Sequence, residues 1–219
     1  MDQIRESLQR LGVKFEDLGH NIILLNNFIQ NDESGRLWDI INNASQEDWE
    51  EDYRNSQIEL AMVKYGRSDL DNLIAEGIAE YSDFWADKAI KIPLESSEKL
   101  NYRIEQIFEN IDGLNFSGML TIHRHYEGAE LVEHVDSDGD PNVLYAIIGY
   151  LNDDYTEGEL VFPNLDFKIT PPANSILIFP DGQEYKHGVR APGAGPTRYS
   201  LPSFILSDVG AAAYLSLRE

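Results

Sequence analysis

Cysteine is absent from this chain of 219 residues, which excludes disulfides, thiolate metal sites and a cysteine nucleophile. Basic residues are scarce, 17 against 39 acidic ones, and the formal net charge is −22 at pH 7. Such a surface repels phosphate backbones, so we expect no nucleic-acid partner. No apolar run approaches the roughly 20 residues that span a bilayer, and the N-terminal MDQIRESLQRLG reads as a polar helix, not a signal peptide. We therefore expect a soluble, cytoplasmic protein without a membrane partner.

Apolar sequence is ample for one packed core, at 42% hydrophobic and 11% aromatic residues. The length is somewhat above the typical domain of about 150 residues, so we expect residues 1–219 to form a single domain. Residues from 1 to about 116 are expected to be a helical N-terminal flank. Residues from about 117 to 207 are expected to be a β core. The boundary near residue 116 lies within one domain, because neither half is expected to form a closed core alone.

The first half mostly follows helical periodicity. Residues 21–29 predict a short buried strand and a turn, and residues 32–44 predict a helix with Asp32 as the candidate N-cap. Residues 70–90 and 98–111 predict two further amphipathic helices. Helices therefore precede the β core.

The second half consists of short runs rich in β-branched and aromatic residues, separated by Gly, Pro, Asn and Asp. The predicted strands are 118–126, 143–151, 159–162, 166–170, 174–179 and 197–206. Short strands at this spacing indicate a sandwich or a small barrel. The fold class expected is α+β with a mainly β core.

A cation site is indicated by HVDSDGDPN, residues 134–142, which places one histidine and three aspartates within a few residues. An EF-hand loop beginning at Asp136 needs glycine at its sixth position and glutamate at its twelfth. Those positions are Pro141 and Ile147, and the flanks predict strands. The EF-hand is therefore excluded, while a nonstandard surface calcium site stays an alternative.

Iron is the stronger interpretation of the same stretch. On a strand, His134 and Asp136 would point to one face. His187, after a later strand, can supply a third ligand, and His123 with His125 form a rival pair. Two histidines and one carboxylate are the facial triad of non-haem Fe(II) oxygenases, which leaves three coordination positions open.

A cosubstrate with two carboxylates suits that open face. 2-Oxoglutarate chelates a metal through its keto oxygen and one carboxylate, and its far carboxylate then needs a planar cation. Arg198 and Ser200, in TRYSLP, share a strand face and can bind one carboxylate together. Arg190 is the rival arginine, in a turn-like stretch close to His187.

In combination, H-x-D, the distal histidine, R-x-S and the intervening YLNDDYTEGELVFP resemble the prolyl 4-hydroxylase-like branch of Fe(II)/2-oxoglutarate dioxygenases. The resemblance covers about residues 117–207, and NIILLNNFIQNDESGRLWDII is similar to the segment that usually leads into this fold. It implies a double-stranded β-helix, or jelly roll, around the metal. It maps His134, Asp136 and His187 onto the iron ligands, Arg198 and Ser200 onto the far-carboxylate clamp, and Tyr150 and Tyr126 onto tyrosines near the cosubstrate.

The resemblance also implies an activity: Fe(II), 2-oxoglutarate and O2, with ascorbate as a further candidate cofactor, hydroxylate an unactivated C–H bond and release succinate and CO2. His134, Asp136, His187 and Arg198 would be its catalytic set. A peptide or protein substrate, hydroxylated on proline, is the leading expectation. Free proline or another amino acid is the alternative, and so is a non-catalytic jelly-roll binding module with a vestigial metal site. Leu131 departs from the pattern, since many prolyl 4-hydroxylases have a second tyrosine there.

Overall fold

Antiparallel strands dominate the computed structural model, which describes residues 1–45, 48–51, 88–137 and 140–216. The helices in these ranges are α1 (Asp2–Arg10), α2 (Asn31–Asn43), α3 (Leu94–Phe108) and α4 (Asp208–Ser216). The strands are β1 (Glu16–Asp17), β2 (Ile23–Leu25), β3 (Glu50–Glu51), β4 (Lys88–Lys91), β5 (Asn115–Phe116), β6 (Thr121–His125), β7 (Leu131–His134), β8 (Val143–Tyr150), β9 (Leu160–Phe162), β10 (Phe167–Ile169), β11 (Ser175–Pro180), β12 (His187–Val189) and β13 (Arg198–Leu206). Short 3-10 turns at Pro163–Leu165 and Gln183–Tyr185 complete the order.

The strands form two antiparallel sheets. The larger has the order β1-β2-β11-β8-β13-β6-β4-β3, with β5 pairing β13, and the smaller has the order β10-β9-β12-β7. From β6 to β9 and from β10 to β13, consecutive strands alternate between the two sheets. This is the predicted double-stranded β-helix, with a mainly β core and helices before it.

Successive side chains of a strand point to opposite sides of the sheet. In the larger sheet both sides are covered, so each face is buried in a different apolar cluster. Ile147 and Leu201 pack with the helices in one apolar cluster. Ala146 and Tyr150, on the same strand as Ile147, belong to a second cluster between the two sheets. The space between the sheets is therefore the interior in which a site can be shielded from water.

The strands predicted for the second half are confirmed, whereas one predicted helix is partly wrong. Of residues 70–90, positions 70–87 lie outside the described part of the chain. Positions 88–90 belong to β4, which pairs with β6 from Lys88 opposite Arg124 to Lys91 opposite Thr121. Tertiary pairing overrides the helical pattern here. The N-terminal flank is accordingly not purely helical, since β2 and β4 extend the larger sheet.

The start of α2 also differs from the prediction. Its N-cap is Gln30, whose backbone N–H donates to the Glu33 carboxylate at 2.8 Å. Asp32 is inside the first turn, where its carboxylate pairs with Lys99 at 3.1 Å. Asp32 is therefore not the cap. The buried Glu33 reaches back to the helix start instead, which is half of a capping box.

No helix in the described ranges is long and apolar enough to cross a membrane.

Candidate metal centre and cosubstrate pocket

Strand register brings two of the predicted ligands together. β12 pairs with β7 in the smaller sheet, and His187 is directly opposite His134. Their ring centroids are 4.6 Å apart. One ligand atom each from His134, Asp136 and His187 lies within 4.8 Å of the others. The residues that the structure describes contain no second group of this kind.

Asp136 reaches this group from a turn, not from the strand that the sequence predicts. β7 ends at His134, and Asp136 follows in a turn, in a stretch rich in Asp and Gly that ends strands. Its Oδ1 is 3.5 Å from Nε2 of His134, and its Oδ2 is 3.6 Å from Nε2 of His187. The Asp136 carboxylate therefore faces both imidazoles, although Asp136 and His134 do not share a strand face.

Backbone carbonyls determine which ring nitrogens face the carboxylate. Nδ1 of His134 is 2.9 Å from the Val132 carbonyl oxygen, and Nδ1 of His187 is 3.1 Å from that of Tyr185. A carbonyl oxygen can only accept, so each Nδ1 carries the proton and donates. A metal binds the neutral ring, in which Nε2, on the side of Asp136, would then offer its lone pair. Two imidazole nitrogens held this way with one carboxylate fit a divalent metal, with Fe(II) the typical occupant.

Asp181 holds the turn that carries Asp136, and no motif in the sequence indicates this role. Its carboxylate accepts a hydrogen bond from the Ser137 backbone N–H at 3.2 Å. The Asp181 backbone N–H donates to the Leu144 carbonyl, so the turn is tied to the junction of β11 and β8. Burial raises the pKa of Asp181, with the hydrogen bonds from Ser137 opposing the shift.

Arg198 lies on β13, in the larger sheet, and faces the same cavity. The cavity is lined by His134, Asp136 and His187 from one side and by Arg198 and Ser200 from the other. Arg198 is 1% exposed, and its Nη1 donates to Ser200 Oγ at 3.2 Å. Arg190, the rival, is exposed, as expected for a residue outside the cavity.

Two tyrosines lie against the Arg198 guanidinium. Its Cζ is 5.2 Å from the ring centroid of Tyr150 and 5.9 Å from that of Tyr155. Burial raises the pKa of both phenols, and the nearby guanidinium opposes the shift, so both hydroxyls stay protonated donors at neutral pH. Tyr150 is predicted near the cosubstrate from the sequence. Tyr155 is not predicted there, although it lies in the YLNDDYTEGELVFP segment that contributes to the resemblance.

Tyr126 is placed elsewhere. The Cζ of Arg124 is 4.8 Å from the Tyr126 ring and 4.0 Å from the Trp49 ring. Arg124, Trp49 and Tyr199 belong to the side of the larger sheet that faces the helices. The structure therefore does not bring Tyr126 to Arg198, and a cosubstrate contact for it stays an untested prediction.

The rival histidine pair lines the cavity without joining the metal-binding group. His123 and His125 are 5% and 2% exposed on β6. They are paired in register with Ser200 and Arg198. They thus face the cavity from the larger sheet, opposite the sheet that carries His134 and His187. His20, the remaining histidine, is exposed in a turn near Phe167.

Unpaired polar atoms around Arg198 indicate an anionic ligand. Within the part of the chain that the structure describes, Tyr150 Oη, Tyr155 Oη and Arg198 Nε are buried and lack a hydrogen-bond partner. A buried cation without a carboxylate is costly, and each unmade hydrogen bond adds about 1–3 kcal/mol. A carboxylate of a bound molecule would satisfy all three atoms. The donors present therefore fit the far end of 2-oxoglutarate.

Comparisons with known proteins agree with this geometry. Residues 120–206 match the sequence family described as the 2OG-Fe(II) oxygenase superfamily. No curated protein matches the chain significantly.

Solved structures resemble the whole fold. A prolyl hydroxylase from Trichoplax adhaerens, solved with a hypoxia inducible factor oxygen degradation domain peptide fragment, has a TM-score of 0.66 at 15% identity, over 97% of this chain and 94% of that one. The viral collagen prolyl hydroxylase of Paramecium bursaria Chlorella virus 1, solved as a 2OG complex, has a TM-score of 0.56 at 16% identity, over 86% and 97%. A 2OG-Fe(II) oxygenase family oxidoreductase from Burkholderia pseudomallei has a TM-score of 0.57 at 13% identity, over 93% and 90%. At these identities the likeness shows the fold alone.

Removing one ligand of the group tests the metal assignment. We predict that His134→Ala or Asp136→Ala keeps the fold and abolishes iron binding, because two remaining ligands cannot hold the facial geometry. Iron per protein after anaerobic reconstitution is the measurement. His20→Asn is the control, since His20 is exposed at φ 51°, a conformation that Asn tolerates. Near-full occupancy in either alanine variant would contradict the assignment.

Gly188 makes the close approach of the two histidine strands possible. A Cβ on it would lie 2.7 Å from the Leu131 carbonyl oxygen and 3.1 Å from the Glu133 nitrogen. We predict that Gly188→Ala pushes β12 away from β7 and weakens iron binding about 10–100-fold, as loss of ligand support commonly does. Competition with a chelator measures the affinity. Gly35→Ala, in α2 with nothing within 4 Å of its Cβ, should bind iron like the wild type.

Proposed function

We propose that this chain, whose residues 120–206 match the 2OG-Fe(II) oxygenase superfamily, hydroxylates an unactivated C–H bond of a peptidyl proline, with succinate and CO2 as coproducts. When bound, Fe(II) and 2-oxoglutarate would supply the electrons that activate O2, and 2-oxoglutarate would be oxidised to succinate and CO2. The protein supplies the ligand geometry, a shielded cavity and the orientation of the substrate.

The residues have separate tasks in this proposal. His134, Asp136 and His187 hold Fe(II) through two Nε2 atoms and one carboxylate and leave one face of the ion open. Arg198, with the hydroxyls of Ser200 and Tyr150, holds the far carboxylate of 2-oxoglutarate. Because the first group lies on the smaller sheet and in the turn after β7, and the second lies on the larger sheet, the cosubstrate would lie across the cavity between them.

One observation carries the proposal: a buried arginine without a carboxylate partner among the described residues faces the same cavity as the His-Asp-His group. A metal site alone gains nothing from a cation nearby, since like charges repel. A chelating anion with a second carboxylate explains both groups at once. A non-catalytic jelly-roll module with a vestigial metal site does not explain why Arg198 is buried without a carboxylate partner among the described residues.

The other end of the cavity supports a substrate with an apolar reacting group. Along β13, Arg198 and Ser200 are buried, whereas Pro202 and Phe204 are half-buried and line the cavity with Ile148. The end of the cavity at Pro202 and Phe204 is thus apolar, and the end at Arg198 and Ser200 is polar. A prolyl ring suits the apolar end, and two of the similar structures are prolyl hydroxylases, one of them solved with a peptide. Free proline or another amino acid is the alternative.

Surface charge favours a neutral or basic substrate. The net charge of −22 slows the approach of an anion, whereas a peptide without acidic residues meets no such barrier. Cytoplasmic location and a role for ascorbate stay predictions from the sequence.

We also propose that residues 1–219 act as one domain. The apolar cluster between the helices and the larger sheet contains Ile4 and Ile104 from the first half and Ile147 and Leu201 from the second. Neither half could bury this surface alone.

Succinate release tests the function. Iron-loaded protein is given 2-oxoglutarate and O2, alone and with a library of proline-containing peptides, free proline, other amino acids and single-stranded DNA. We expect turnover that one peptide stimulates, with a mass gain of one oxygen atom on its proline. Strongest stimulation by free proline would select the alternative. DNA as the best acceptor would contradict the charge argument, and absence of both turnover and 2-oxoglutarate binding would remove the proposal.

Arg198 separates a 2-oxoglutarate enzyme from a plain metal site. We predict that Arg198→Ala weakens 2-oxoglutarate binding on the order of a hundredfold or more, because a buried carboxylate that loses its partner costs about 3–5 kcal/mol. Arg198→Lys should recover part of the affinity, since it keeps the charge without the planar fork. The measurement is an anaerobic titration of the iron-loaded proteins, followed by the metal-to-ligand charge-transfer band.

Two controls accompany that titration. Arg190→Ala removes an exposed arginine outside the cavity and should bind 2-oxoglutarate like the wild type. Iron affinity should be unchanged in all variants, because neither arginine is a ligand. Loss of the band in Arg190→Ala, with wild-type affinity in Arg198→Ala, would show that the clamp is misassigned.

A further inference from the structure

Tyr155 is a buried phenol in a loop whose other residues are mostly exposed. It follows β8 in NDDYTEGE and is 6% exposed, while Asp153, Asp154 and Thr156 are exposed. Gly158, at φ +70°, packs against the ring, since a Cβ there would lie 3.3 Å from Cδ2 and Cε2 of Tyr155. The loop backbone at Gly158 therefore packs on the Tyr155 ring and holds it in place.

The ring lies close to the guanidinium of Arg198, a residue that lines the cavity. Tyr155 and Tyr150 both lie within 6 Å of the Arg198 guanidinium by ring centroid, at 5.9 and 5.2 Å. Among the residues that the structure describes, neither hydroxyl has a hydrogen-bond partner, although both are buried. Two protonated phenols beside a guanidinium that has no carboxylate partner among the described residues make three donors close to one place for an anion.

Packing alone does not account for the hydroxyl. Phenylalanine would fill the same space against Gly158 and Arg198 without a buried polar atom, and leaving such an atom unsatisfied costs about 1–3 kcal/mol. A bound acceptor removes that cost. The second phenol is therefore better explained by a ligand than by the fold.

We propose that Tyr155 donates a hydrogen bond to the far carboxylate of the cosubstrate bound by Arg198, and that it thereby selects 2-oxo dicarboxylates over 2-oxo monocarboxylates. The inference rests on the proposed function, because it concerns the same pocket. Its consequence is that the specificity for 2-oxoglutarate depends in part on the loop after β8, not only on the strand that carries the arginine.

Two ligands and one variant test the assignment. Iron-loaded wild type and Tyr155→Phe are titrated without oxygen with 2-oxoglutarate and with 2-oxopentanoate, which chelates metal equally but lacks the far carboxylate. Tyr155→Phe should bind 2-oxoglutarate about tenfold more weakly, the loss expected for one hydrogen bond to a charged group. Its affinity for 2-oxopentanoate and its iron content should match the wild type, and its melting temperature without ligand should be no lower, because the substitution removes a buried unsatisfied hydroxyl.

Tyr145→Phe is the matched control, because the Tyr145 hydroxyl contacts the N-terminal amine at 3.4 Å, and its ring packs on the other face of the larger sheet. It should bind both ligands normally. Unchanged 2-oxoglutarate affinity in Tyr155→Phe, or an equal loss for both ligands, would overturn the inference while wild-type binding keeps the proposed function. No binding of 2-oxoglutarate by the wild type would remove both.

Discussion

The pairing of β8 with β13 at the centre of the larger sheet is the constraint on which the remaining structure depends. Both strands are buried on both faces, so each must place one set of side chains against the helices and the alternate set toward the smaller sheet. Ile147 and Leu201 belong to the first set, and Tyr150, Arg198 and Ser200 to the second. A register slip of one residue would exchange the sets and bury the arginine among the helices. The apolar packing of one face therefore fixes the polar chemistry of the other.

The two halves of the site are held by different means. His134 and His187 are positioned by a direct cross-strand pairing and by backbone acceptors for Nδ1, which act within the smaller sheet. Arg198 is positioned by its strand in the larger sheet. Facing sheets are about 10 Å apart. A molecule that engages both halves must therefore be short, with a metal-binding group at one end and an acceptor for the guanidinium at the other, and a small chelating dicarboxylate meets both requirements.

Much of this arrangement could be predicted from sequence because its signals are local. Strands of period two and the histidine, aspartate and arginine on them are read from neighbouring residues. Three features could not be read that way. Lys88 lies in a strand only because β6 pairs with it, Asp136 reaches the histidines through a turn, and Tyr155 approaches Arg198 only after the loop closes. Each depends on a contact between residues distant in sequence, which periodicity does not encode.

Surface acidity and cosubstrate binding act on different length scales. At physiological ionic strength the field of exposed charges is screened within about 8 Å, whereas buried charges are screened much less. The −22 surface therefore affects mainly how fast an anion arrives. Once inside, 2-oxoglutarate would meet a guanidinium that is 1% exposed, where water cannot weaken the attraction. A strongly acidic protein can thus bind an anion without a basic surface, provided that it has a buried arginine without a carboxylate partner, as Arg198 is among the residues that the structure describes.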